Sequence, residues 1–159
     1  MIIQQLPMEV LKNLSTQEKD LMYDAPVLVT ILIAGADDDY NKAEIRKAVE
    51  LAHDKKVTAR VDLISYYNIV GEGLEDKLKV KMHQLPVEAR DRNPLIIADL
   101  KKLNDILPKL EKEFAVDFYW SLRGLAKKIA TASGGLLGYM AVGYEESKLI
   151  GLDMIDIPE

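Results

Sequence analysis

The chain has 159 residues, enough for one domain with a proper core, and its apolar content of 48% and charged content of 30% are those of a soluble globular protein. A net charge of −5 and a pI near 5.2 disfavour general nucleic-acid binding. The lack of cysteine removes disulfides and thiolate zinc sites and leaves the cytoplasm as the default compartment.

The opening MIIQQLPMEV lacks the basic start and long apolar core of a signal peptide, and residues 1–14 read as a weakly helical lead-in. Ser15 followed by Glu18 has the spacing of a capping box and predicts a helix start. Pro26 either kinks that helix or sits in the first turn of a new one, with Asp24 near its cap. From Val27 to Ala36 the chain is apolar on all sides except at Thr30, which predicts a helix at the centre of a bundle. A strand reading of Val27–Ile33 fails because no second β-rich run exists to pair with it.

Asn41 to about Lys56 reads as the next helix. A stripe at three- and four-residue spacing follows: Val57, Val61, Ile64, Tyr67, Gly71, Leu74, Leu78, Met82 and Leu85. Gly71 and Gly73 are positioned to split it into two helices, and Pro86 ends it. Pro94 opens or kinks a further pattern on Ile97, Leu100, Leu103, Leu107 and Leu110, within which Pro108 divides one helix from the next. Phe114, Phe118, Leu122, Leu125 and Ile129 form another helical stripe, ending at the glycines after Ser133. A final helix is expected from about Tyr144 to Asp153. Two stretches without charge, Ala25–Ala36 and Ile129–Tyr144, do not read as membrane spans. The first is too short and the second is broken by four glycines. The expectation is an all-α, single-domain bundle of about six to eight helices over residues 1–159.

One junction stands out chemically. The apolar run stops at Asp37, Asp38 and Asp39, and Asn41 with Glu44 forms a second capping box. Those carboxylates precede a helix start, where free N–H groups and the helix dipole favour negative charge. Two readings stand. One is a solvated acidic loop followed by a helix cap. The other is a site for a hard cation such as calcium or magnesium, with Asp37, Asp39, Asn41 and Glu44 supplying oxygens. The spacing is not that of an EF-hand, since the loop has no glycine at its sixth position and no glutamate at its twelfth.

The sequence also echoes itself. Ile33-Ala-Gly-Ala36 precedes the acidic stretch, Ile129-Ala-Thr-Ala132 precedes the glycine-rich one, and each leads on to a glutamate, Glu44 or Glu146. This reads as a degenerate helix–loop–helix duplication whose second loop has no aspartate. On these two junctions the chain resembles the tellurite-resistance TerB-like helical family. Ala36 to Glu44 is similar to its A-D-G-x-[IV]-[DS]-x-x-E signature, with Ala25-Pro26 and Ile33-Ala34 similar to its first core helix. Residues 129–138 with Glu145-Glu146 resemble its second junction. The resemblance covers about half the chain by motif. It implies an all-helical fold and a divalent-cation site, with Asp37 and Glu44 matching the signature and Asn41 at a position often acidic. Asp38 stands where the family has glycine, and Tyr40 where it has an aliphatic residue.

Other features are weaker. His53 and His83 fall on different predicted helices with no partner at ligand spacing, and no nucleophile elbow or phosphate loop is present, so no catalytic constellation emerges. Phe118 belongs to an apolar stripe, Trp120 is placed for an interface, and Arg123, Lys127 and Lys128 form a small basic face. In the uncharged segment 134–144, Leu136 and Leu137 read as core, while Tyr139 and Met140 are the candidates for contact with a protein partner or a second copy. The function expected is a non-catalytic helical module that responds to a divalent cation. The alternative is a protein-interaction scaffold with no metal role.

Overall fold

The computed structural model describes residues 9–34, 61–132 and 149–158. Among these residues all regular structure is helical, so the all-α expectation holds there. The helices are α1 (Thr16–Ala34), α2 (Val61–Gly71), α3 (Leu74–Gln84), α4 (Ala89–Lys101), the single turn α5 (Leu103–Ile106) and α6 (Lys112–Ala132). Short 3-10 turns occupy Glu9–Leu11 and Leu107–Lys109.

The capping box at the start of α1 forms as the spacing predicts. The Ser15 N–H donates to Glu18 Oε1 at 2.9 Å, and the Glu18 N–H donates to Ser15 Oγ at 3.1 Å. Two of the helix's orphan donors are thereby satisfied. Glu18 also accepts from Lys109 Nζ at 2.6 Å, which ties α1 to the turn before α6.

α1 is the hub. It packs most extensively on α6 and also touches α2, α3, α4 and α5. Its second half explains this role, because every residue from Ala25 to Ile33 is buried. A helix with no polar face loses free energy wherever water reaches it, so it is stable only when enclosed by the others.

Pro26 neither ends α1 nor starts a new helix; it lies inside a continuous one. A proline there has no N–H for the carbonyl four residues back, which is that of Met22. The buried Met22 carbonyl is satisfied from another helix: the Tyr66 hydroxyl of α2 donates to it at 2.5 Å. One turn later Thr30 Oγ1 donates back to the Pro26 carbonyl at 2.7 Å, so the only hydroxyl in the apolar run is also paired.

Tyr66 is the centre of an aromatic cluster. Its ring stacks on Tyr23 at 5.9 Å and meets Tyr67, Phe118 and Phe114 edge-on at 5.0, 5.4 and 6.5 Å. Such edge-to-face pairs add to simple area burial. Tyr67 reaches Ser121 of α6, oxygen to oxygen at 2.6 Å. Burial pushes the Tyr66 phenol well above its ordinary value, and burial also raises Tyr67, opposed by its hydrogen bond to Ser121.

Gly73, between α2 and α3, adopts φ +68, the left-handed conformation that only glycine takes without strain, so the predicted split occurs there. Leu85, before Pro86, is extended and ends α3 as expected. Pro108 lies in the 3-10 turn that separates α5 from α6.

Three expectations need correction. Ile64, placed on the core stripe, is 39% exposed, and the buried face of α2 is Leu63, Tyr66, Tyr67 and Val70. Two adjacent stripes of helical spacing pass through this segment, and the one carrying two large aromatic rings wins because it removes more apolar area from water. Similarly, Ile96 rather than Ile97 is the fully buried residue of α4, and that helix starts at Ala89, ahead of Pro94. The bond Pro94 forfeits is to Arg90, in the first turn, where the loss is least disruptive. The third concerns the final helix, expected to run to Asp153. Within the described residues it ends at Ile150, and turns follow through Met154, with Leu152 at φ 50.

Candidate functional site

The residues singled out for function, Asp37, Asp39, Asn41 and Glu44 for a cation and Tyr139 and Met140 for partner contact, lie outside the described residues. So do His53 and the whole uncharged segment 134–144. The frame that delivers those segments is described. α1 ends at Ala34, three positions before Asp37 in the sequence. α6 ends at Ala132, at the second echo junction.

The two helices run in the same direction. The Lys109–Glu18 pair joins the region just before α6 to the first turn of α1. One turn further along both, Tyr66 bonds Met22 of α1 while its ring meets Phe114 and Phe118 of α6. With 19 and 21 residues their lengths are close, at about 1.5 Å per residue. The helix ends at Ala34 and Ala132 therefore emerge from the same end of the bundle.

Electrostatics at the opposite end is ordinary surface pairing. The Lys109 ammonium, followed by the Ser15 N–H, holds the Glu18 carboxyl below its usual range. Lys81 of α3 meets Asp24 of α1 at 3.4 Å, both partly exposed, and adds a cross-helix tie of modest worth. Among the described residues no group of three His, Asp or Glu side chains converges as metal ligands would.

The α6 surface places the remaining candidates. Phe118 is fully buried, as its stripe predicts, and Trp120 is 50% exposed. The Arg123 guanidinium sits over the Trp120 ring at 5.0 Å and the Tyr119 ring at 5.8 Å, and its Nη1 reaches the Tyr119 hydroxyl at 3.4 Å. This is a cation–π arrangement on an otherwise open face. Lys127 and Lys128 extend that face as exposed cations, and His83 is exposed on α3. No described helix is long and apolar enough to cross a membrane.

Two residues that matter were not singled out from the sequence. Tyr66 supplies, across 44 positions, a donor for the Met22 carbonyl that Pro26 cannot serve, and Asn104 binds the main chain of residues 154 and 156. Neither carries a local signal, because each partner is distant in sequence. A proline within an apolar helix does announce that some donor must be found for the carbonyl four residues earlier.

The fold thus defines an all-α protein built on a buried central helix. No family model, curated protein or solved structure matches the chain.

Proposed function

We propose that the protein is a non-catalytic helical module, related to the TerB-like proteins of tellurite resistance and stress response, in which Asp37, Asp39, Asn41 and Glu44 take up a divalent cation, calcium or magnesium, in the cytoplasm. The observation that carries this reading is that the acidic stretch follows the hub helix. α1 contacts every other described helix and ends three positions before Asp37. Charge neutralisation at that stretch would act on the element to which the whole bundle is attached. Three adjacent carboxylates repel one another, and a bound cation relieves that repulsion. The shared direction of α1 and α6 supports the degenerate duplication, and the total of six to eight helices belongs to the same proposal.

Thermal melting tests it. A cation that binds only the folded chain, at a hundredfold excess over its dissociation constant, stabilises by about 2.7 kcal/mol. For a domain of this size that raises Tm by roughly 5–11 °C. Unchanged melting in millimolar calcium, magnesium and manganese removes the proposal.

A second reading, a protein-interaction scaffold with no metal role, is favoured by the exposed Trp120 held under Arg123. Tryptophan and arginine are the side chains that most often dominate interfaces. In this reading Tyr139 and Met140 supply further contact, and replacing both by Ser weakens self-association or partner capture while melting is unchanged.

A further inference from the structure

The outward strip of α6 is arranged symmetrically about Trp120. Between residues 113 and 127, every other position that is not buried lies three, four or seven residues from Trp120, on one side or the other. Those are the offsets that share one face of a helix. Trp120, 50% exposed, therefore sits at the centre of the face. The charges on that face are opposite in sign at matching distances. Asp117 and Glu113 stand three and seven positions before Trp120, and Arg123 and Lys127 stand three and seven positions after it.

The inner two charges are not satisfied within the chain. The Arg123 guanidinium lies over the Trp120 and Tyr119 rings at 5.0 and 5.8 Å and meets no carboxylate among the described residues. Asp117 likewise forms no ion pair among the described residues. The two are about 9 Å apart along the helix axis, on opposite flanks of Trp120.

Such a face is complementary to itself turned end for end. When two copies of α6 pack antiparallel across a two-fold axis at Trp120, each residue before Trp120 meets the partner's residue at the same offset after it. Asp117 then meets the partner's Arg123, and Glu113 meets the partner's Lys127, twice each by symmetry. Val116 meets the partner's Gly124, which has no Cβ to oppose close approach. Parallel packing instead sets each charge against its own copy, which is repulsive.

We propose that this face of α6 is an isologous dimer interface for a second copy of the chain, with Trp120 packed on the partner's Trp120 at the two-fold axis. The proposal rests on the interaction reading of Trp120 and names its partner. The tryptophan rings supply the apolar contact, and the charge pairs fix the antiparallel orientation. The strip is about 21 Å long, so the area it buries is small beside a standard interface of about 1,600 Å², and the dimer is weak and reversible.

Sedimentation equilibrium and intrinsic fluorescence of the full chain, from about 10 µM to about 1 mM, test it. Trp120 is the only tryptophan, so its emission reports this face alone. Monomer converts to dimer across the range, and the emission shifts to the blue in step. Trp120→Ala abolishes the dimer over the same range. Asp117→Arg and Arg123→Asp each set like charges together and weaken association at least about fivefold. An equimolar mixture of those two variants pairs opposite charges at both places and restores the dimer. A wild-type chain that stays monomeric at about 1 mM overturns the proposal, whether or not the variants fold. A dimer with unchanged Trp120 emission, or one that survives Trp120→Ala, forms elsewhere and overturns it too. Folded charge variants that associate no better mixed than alone exclude the antiparallel pairing and overturn it as well. A monomeric chain leaves the broader interaction reading to its own test, the replacement of Tyr139 and Met140.

Discussion

Tyr66→Phe is the sharpest probe of how this bundle tolerates a proline in its central helix. The substitution removes one oxygen and leaves every ring contact of Tyr66 in place. It strips the Met22 carbonyl of its donor at a site where Met22 itself is fully buried. An unsatisfied buried polar group costs about 1–3 kcal/mol. For a chain of this length about 2 kcal/mol lowers Tm by roughly 4–8 °C. The diagnostic step is the double-mutant cycle with Pro26→Ala. Alanine restores an N–H at position 26 within reach of the Met22 carbonyl, which then has a donor besides the hydroxyl. Tyr66→Phe in the Pro26→Ala background should therefore cost no more than about 0.5 kcal/mol, and the difference between backgrounds is the coupling. Chemical denaturation of the four proteins reads it directly. An equal cost in both backgrounds refutes the argument that the tyrosine stands in for the missing amide.

Three further outcomes follow from the same packing. Ser15→Ala, which removes half of the α1 capping box, costs about 1 kcal/mol by urea titration. Phe118→Ala costs about 3–5 kcal/mol because the ring is fully buried among aromatics, whereas Trp120→Ala, half exposed, changes stability by no more than about 0.5 kcal/mol. Tyr66 is raised above its ordinary value of 10.0 by burial, so the folded state holds its proton more tightly than the unfolded state. That contribution is complete below pH 10 and is lost as pH rises beyond it, so alkaline unfolding and the rise in tyrosinate absorbance should coincide.

Among the described residues, helix type and the boundaries at Ser15, Gly73 and Pro86 were legible because they depend on neighbouring residues. Ser15 and Glu18 cap each other across three positions, Gly73 supplies a backbone conformation, and Pro86 forces Leu85 into an extended one. The stripe from Phe114 to Ile129 was read correctly because α6 has one apolar face, and Val27–Ile33 because that run has no polar one. Legibility failed where local patterns were degenerate or partners were far away. The segment from Val61 to Val70 offers two stripes of equal spacing, and only the space beside Phe114 and Phe118 decides for Tyr66 over Ile64. The bonds from Tyr66 to Met22 and from Asn104 to residues 154 and 156 span 44 to 52 positions. The candidate cation residues Asp37, Asp39, Asn41 and Glu44 were proposed from three adjacent carboxylates and capping-box spacing alone. Their spatial arrangement is a property of residues outside the described ones.

The central claim is that Asp37, Asp39, Asn41 and Glu44 bind a divalent cation, and calorimetric titration of the full chain tests it most directly. The account predicts saturable binding of calcium or magnesium, weakened at least about tenfold, or about 1.4 kcal/mol, by Asp37→Ala and by Glu44→Ala in chains that remain folded. Saturable binding that both variants leave intact, or no binding at millimolar cation, contradicts it.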